Sequence, residues 1–530
     1  MSQEPFYRED WEDREQPKNR RSGRVLAALK AFVLLALIVV TAYGTLRDGL
    51  YEDELWLPVS AGIFGLLFVT LFVRGYYQDI PRGAWVLISL LAALVAVKGL
   101  SMTWTISETL TIRELLRSAM YLATFVLALG SLSSGRQVSP LVDAAALIST
   151  AVAGYGLMQK IDPLQYEATT PDAARIGSTL GYANTTAMIA GIGMVLVLAR
   201  MAEMRNPLGR GIYAVLLILL GTALYFTFSR GGLLSAGVGL AVLFVLGGNR
   251  LQTFVNLTLA SAPLGWLLYT VQDLEALFVT DQASDGQLIS DGLAFRTDLL
   301  VAATGAFVLQ AIYAVLANRY ELVPEARRLL GVAALVAILL FGGAGAYLAG
   351  EQLLADNFSE SVTGQMQQSE NANERLTSLS SNSRSQYWQV AWDSWREHPF
   401  LGTGAGTFQH TFLENRPGFG GVKQVHNLYL EQGTETGVFA FLAVVAFSAS
   451  LVGYTARSAW RSAPLGNRRI LLSGLVAALS VYLFSSILEW HWYIPASTLL
   501  FFILAGVAVK FSARPQWTPS ENGVRAGNGK

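Results

Sequence analysis

Four basic side chains sit where they are hard to explain as surface decoration. Arg230 lies in FTFSRGGLLSAG, within a tract that is apolar almost without a break from about residue 211 to 248. A guanidinium at a bilayer boundary is costly and marks a functional site, the plain alternative being a side chain that reaches out to lipid phosphates. Ser229 precedes it, and Gly231 and Gly232 follow, leaving room for a backbone or a ligand beside the charge. Arg384 opens the expected helix of SRSQYWQVAWDSWREHPF. There it opposes the helix dipole by about 0.3–1 kcal/mol. An anion shared with the first-turn amides reverses that sign, whereas the bland reading is a solvated arginine beside Trp388. Arg175, in DAARIGSTLGYANTTA, stands ahead of Asn184, Thr185 and Thr186 at a helix mouth, where arginine is also common for structural reasons. His426, in VKQVHNLYLEQGTETG, is one of four histidines and is followed by Asn427 and Glu435. An imidazole titrates near pH 6.5 and can take a proton from a hydroxyl at neutral pH. His398, His410 and His491 compete less well for that role. Between Arg384 and His426, HPFLGTGAGTF carries Gly404 and Gly406 in a tight turn whose amides could face a phosphate or a sugar.

The elements that must position these residues are membrane helices. The 530 residues are 52% hydrophobic and only 14% charged, and the apolar residues fall in blocks matching the roughly 20 residues that cross a bilayer. Most blocks lack the charged stripe of a soluble helix. The spacing predicts an all-α, polytopic bundle with spans near 25–44, 55–73, 84–102, 115–132, 138–158, 179–199, 211–228, 231–248, 252–271, 299–317, 329–350, 434–455, 470–488 and 494–511, which is 14 helices. Asp143 makes 138–158 the weakest of these. Lys18, Arg20, Arg21 and Arg24 precede the first span and place the N-terminus in the cytoplasm. The alternation then holds: short loops assigned inside carry fourteen Arg or Lys against four acids, and those assigned outside carry about sixteen acids against seven bases. Both termini are therefore expected inside. Residues 1–24 and 512–530 read as cytoplasmic tails, 25–174 as N-terminal membrane helices, 175–455 as the core and 456–511 as C-terminal membrane helices. Within the core, 351–433 is expected to form one large extracytoplasmic loop, polar and mobile at first. It then forms a surface helix capped by Ser383, ended by Pro399 and marked by Trp388, Trp392 and Trp395 facing lipid or the bundle.

The absence of cysteine removes disulfides, thiolate metal sites and a cysteine nucleophile. No G-x-x-x-x-G-K-[ST] phosphate loop is present, and the cytosolic loops are too short to hold a nucleotide-sugar site. Arginines and a histidine at the outer rim suit a substrate with a diphosphate at headgroup level and a long lipid tail. The arginines would favour departure of the diphosphate while the histidine deprotonates an attacking hydroxyl. The expected chemistry is glycosyl transfer from a polyprenyl diphosphate. A flippase or transporter would instead show polar residues deep in several spans and an internal repeat. A non-catalytic diphosphate-lipid binder would need the arginines but not His426.

The segments LYFTFSRGGLLSAGVGL, SRSQYWQVAWDSWREHPFLGTGAGTF and VHNLYLEQGTETGVFA, in this order, resemble the O-antigen ligase and O-antigen polymerase superfamily over roughly Arg175 to Leu451. The resemblance implies a C-type glycosyltransferase-like helical fold in the plasma membrane. It also implies an undecaprenyl diphosphate-linked glycan donor and inverting transfer with neither metal nor cofactor. By the same resemblance Arg230 and Arg384 bind the donor diphosphate and His426 activates the acceptor. Arg175 matches its motif more loosely, because Ser178 stands before Thr179. Expected partners are the lipid-linked donor, a glycan, lipid or protein acceptor, and membrane lipids, with no nucleic acid. The spans outnumber the usual twelve or so of the ligases, and the motifs do not separate ligase from polymerase.

Overall fold

A computed structural model describes residues 16–170, 172–279, 283–320, most of 323–340, 384–416 and 420–513. Among the described residues the secondary structure is helical throughout. The N-terminal part comprises α1 (Gln16–Thr45), α2 (Asp53–Leu71), α3 (Arg82–Leu100), α4 (Glu108–Ser131) and α5 (Val138–Ile161). The middle comprises α6 (Ala183–Glu203), α7 (Pro207–Phe226), α8 (Arg230–Leu246), α9 (Arg250–Thr270) and α10 (Asp285–Arg319). A short apolar helix, α11 (Arg328–Ala337), follows. Then come α12 (Arg384–Glu397), α13 (Phe408–Asn415), α14 (Leu428–Arg461), α15 (Asn467–Ser485) and α16 (Pro495–Ala513).

Eleven of the described helices are long and apolar enough to cross a membrane. Expected spans 115–132, 231–248 and 329–350 fall on α4, α8 and α11, which lie outside that set. Glu108, Arg113, Glu114 and Arg117 crowd the first half of α4, yet the helix is central, with Tyr121, Phe125 and Leu127 fully buried. Helix α8 has only 17 residues. The remainder of 329–350, the expected mobile segment and the Ser383 cap lie outside the described residues. Asp143 does not weaken α5. Its carboxylate accepts from Arg200 Nε at 2.6 Å and from Tyr213 Oη at 2.5 Å, so its polarity ties α5 to α6 and α7.

The centre of the bundle is α6, with 94% of its apolar window buried and α15 packed against it; α15 and the last helix, α16, are each 89% buried. Small residues explain the close approach. Helix α6 reads ANTTAMIAGIGMVLVLARMAE, and a Cβ added at Gly191 would stand 3.3 Å from Ala236 of α8 and from Val481 of α15. Without a hydrophobic drive between helices in lipid, such close backbone packing is what holds spans together. Gly232 in the first turn of α8 is tighter still, since an added methyl group would collide with the methyl of Ala187. Gly232→Ala is expected to cost about 1–3 kcal/mol of stability, seen as a lower unfolding temperature in detergent; an unchanged temperature would mean that the α6–α8 spacing has slack.

The segment before α14 docks into a break in that helix. At Gly437 the backbone leaves the helical region (φ 75°), and an added Cβ would strike the carbonyl of Phe400. Val438 N donates instead to Pro399 O at 2.9 Å. Helix α12 ends before Pro399 as expected, but its buried face is Val390, Ala391 and Ser394 rather than the three tryptophans together. Trp395 covers Gly433 and Trp388 packs on a small cluster with Phe408 and Phe412, while Trp392 is exposed. The differing burial reflects what each indole meets and not its direction, since i, i+4 and i+7 fall within about 60° of arc on one helix side and Trp392 contacts Trp395 edge-on at 5.7 Å between centroids.

Candidate active site

The connection between α15 and α16 reads SILEWHWYIP, and its acidic residue gathers Arg384 and His426 directly and Arg175 through Asn184. Glu489 is 2% exposed. Its Oε1 accepts from Asn184 Nδ2 at 2.6 Å and from Nη2 of Arg384, with which it forms an ion pair. Its Oε2 accepts from Tyr182 Oη at 2.6 Å, and His426 Nδ1 lies 3.4 Å away, an ion-pair distance rather than a tight hydrogen bond. Burial alone would push the carboxyl of Glu489 up, but the contacts with His426 and Arg384 outweigh it and hold the group at about 2. The same burial, reinforced by the neighbouring carboxylate, pushes the Tyr182 phenol up, so it stays protonated and donates.

Arg175 joins this centre through one intermediary. Its Nη2 donates to Asn184 Oδ1 at 2.8 Å, and Asn184 passes the connection to Glu489. Its Nε donates to Thr227 O at 2.8 Å, which fixes the 175 loop to the turn ahead of α8. That turn is tight. Phe228 has φ 47°, Ser229 caps α8 by accepting from Gly232 N at 3.1 Å, and Arg230 is the first helical residue. A Cβ on Gly231 would stand 3.5 Å from Leu488, so this helix end lies against the neighbour of Glu489.

His426 is held by its own strained turn. Its φ of 59° is in the left-handed region, uncommon outside glycine. The next residue, Asn427, caps α14 by accepting from Tyr429 N and Leu430 N, each at 3.1 Å. Leu428 N donates to Ser486 O at 2.9 Å, clamping the turn to the α15 end. The ring is flanked by Tyr387 at 5.8 Å and Trp490 at 6.1 Å between centroids, with its side chain 16% exposed.

The glycine turn is arranged differently from what an open anion cradle would need. Gly406 N donates to Glu435 Oε2 at 2.7 Å and Phe408 N to Glu435 Oε1 at 3.1 Å, while Gly404 N donates to the Glu435 carbonyl at 2.8 Å. Glu435 therefore occupies the amides of this loop. Gly404, at φ 110° with Thr105 packed where a side chain would stand, could not carry one.

His491 differs from His426 in kind. Both ring nitrogens face hydroxyls, Nδ1 with Thr185 Oγ1 at 2.9 Å and Nε2 with Ser485 Oγ at 2.7 Å. Burial lowers its pKa from 6.5 to about 4, although Glu489 pulls the other way. A histidine depressed in the fold binds its proton in the unfolded chain first, so its stabilising share is full above 6.5 and is lost as pH falls toward 4. Glu489 adds the same sign between its ordinary 4.5 and about 2. The protein is expected to lose stability on acidification from about pH 6.5. Thermal unfolding of His491→Gln should be flatter across pH 4–6.5; an equally steep pH slope would assign the loss to other groups.

Sequence reasoning missed Glu489, Tyr182 and Asn184 as members of the centre. The available signal was an acid in a short apolar connection, immediately before two aromatic residues and a histidine.

Residues 292–445 match the family model described as O-antigen ligase. This segment of the chain is similar to the O-antigen ligase family. The O-antigen ligase segment contains Arg384, the glycine turn, His426, Asn427 and Glu435, whereas Arg175, Arg230 and Glu489 lie outside it. No curated protein matches the chain. The O-antigen ligase match and the eleven apolar helices together describe a multi-pass membrane protein of the glycan-transfer class.

Proposed function

We propose that the protein transfers a glycan from an undecaprenyl diphosphate carrier to an acceptor hydroxyl at the extracytoplasmic face of the plasma membrane, in the manner of an O-antigen ligase. The observation that carries this reading is the convergence on one buried carboxylate of Arg384, His426 and, through Asn184, Arg175. The α8 turn that bears Arg230 lies alongside. Cations that can hold a diphosphate thus stand beside an imidazole that can take a hydroxyl proton.

In the proposed reaction the acceptor oxygen attacks the anomeric carbon, and its proton passes to His426. The bond from that carbon to the diphosphate oxygen breaks, and its electron pair leaves with the diphosphate. The guanidiniums stabilise the charge that develops there. A single displacement inverts the anomeric centre. Surface polysaccharide polymerase of the same superfamily is the second reading, favoured equally by the O-antigen ligase match because the donor chemistry is shared.

Mass spectrometry of surface and carrier-linked glycans after deletion of the gene tests this reading. Full-length polymer left on the lipid carrier identifies a ligase, and single repeat units without elongation identify a polymerase. Repeat units trapped on the cytoplasmic leaflet would identify a flippase and overturn transfer. Wild-type glycans on both carrier and surface would also overturn it.

A further inference from the structure

We propose that Glu489 is a positioning residue that sets both halves of the site at once, fixing which nitrogen of His426 is bare and aiming the guanidinium of Arg384. The inference rests on the proposed function for its second half only.

A carboxylate has two oxygens, and here each serves one cation-side and one neutral donor. Oε1 takes Arg384 Nη2 and Asn184 Nδ2, and Oε2 takes Tyr182 Oη and faces His426 Nδ1. A neutral imidazole has one N–H and one lone pair, and the hydrogen bond at one nitrogen decides the other. With a carboxylate opposite Nδ1, the proton sits on Nδ1, and Nε2 keeps the lone pair that a general base needs. The carboxylate cannot itself accept the acceptor's proton, because all its directions are taken. It stabilises the imidazolium formed when Nε2 is protonated.

On the other side, Arg384 is the first described residue of α12. One of its nitrogens is committed to Glu489, leaving the remaining edge of the planar fork for a phosphate. Asn184 and Tyr182, on the first turn of α6 and just ahead of it, brace the carboxylate from the bundle centre, the most buried part of the fold. The charged and titratable groups that face Glu489 are Arg384, His426, His491 and Tyr182.

Histidine-selective nitrogen-15 labelling tests the first half without any substrate, since the chain holds only four histidines. In the neutral wild-type protein, His426 should give the signature of an Nδ1–H, bare-Nε2 ring. Glu489→Gln, whose side chain can donate as well as accept, should shift His426 to a mixture of tautomers. Glu489→Asp should restore the Nδ1–H form. Tyr182→Phe, which leaves the charge in place, should keep it and guards against misreading a folding defect. An unchanged His426 spectrum in Glu489→Gln overturns the positioning of the base, and so does an Nε2–H ring in the wild type.

Binding of undecaprenyl diphosphate to the purified protein tests the second half. Loss of affinity of tenfold or more in Glu489→Gln, with the Asp variant recovering it, supports the aimed guanidinium. Wild-type affinity in Glu489→Gln overturns that half. If the wild-type protein itself fails to bind undecaprenyl diphosphate, the donor reading falls, while the tautomer result still decides the histidine.

Discussion

His426→Ala is expected to lower glycan transfer by about 10²–10⁴-fold, the span that a positioned general base contributes, with the protein still inserted at normal level. The turn around His426 explains why insertion should survive. Its left-handed backbone is imposed from outside, by the Asn427 cap on one side and the Leu428 to Ser486 hydrogen bond on the other. Alanine can adopt that conformation at a modest cost of about 1–2 kcal/mol. The ring itself contributes only a tilted contact with Tyr387 and an edge-on contact with Trp490. Transfer measured in membranes from a carrier-linked glycan, normalised to inserted protein, checks the prediction. Unimpaired transfer would remove His426 as the base.

Arg384→Ala should be nearly as damaging, but through two routes that can be told apart. One cation fewer on a leaving diphosphate costs on the order of 10²–10³-fold in rate. The substitution also strips Glu489 of its ion-pair partner while the carboxylate remains buried. Removing one member of such a pair typically costs about 3–5 kcal/mol, because the other charge is left uncompensated. Arg384→Lys separates the routes: it keeps a positive charge for Glu489 and so keeps most of the stability, yet it offers no planar fork to share between carboxylate and phosphate. Lysine should therefore recover the unfolding temperature and little of the activity. Equal recovery of both would mean that Arg384 acts on the fold alone.

The membrane helices were legible because length and hydropathy are local properties, and each expected span coincides at least in part with a described helix. Their number was less legible. Helix α4 is buried by its neighbours despite Glu114 and Arg117, because Glu114 pairs with both Arg117 and Lys98 inside the protein. A hydropathy window reads such charges as loop signals, while the fold treats them as internal contacts. Asp143 misled in the same way, since its partners Arg200 and Tyr213 lie 57 and 70 residues away.

The candidate site divides along similar lines. Arg384 and His426 stood out because each breaks a local expectation, a cation at a helix start and an imidazole at a helix mouth. Glu489 broke only a weak one, in a connection that the charge pattern of the sequence assigns to the outer side, where an acid is unremarkable. What makes it central is the meeting of residues 182, 184, 384 and 426 around it, and no spacing along the chain encodes that meeting. The glycine turn shows the converse error. GTGAGTF looks like a phosphate cradle when read as a string, but the carboxylate that fills it comes from Glu435, well downstream.

The stretch matched to the O-antigen ligase family ends at residue 445, and Glu489 comes after it. A chimera that transplanted 292–445 into a different membrane host would move the histidine and the loop arginine while leaving their shared carboxylate, and the tyrosine and asparagine that brace it, in the donor chain. The unit that can be exchanged intact between such proteins is therefore larger than the recognisable segment, and reaches from the α6 entrance to the start of α16.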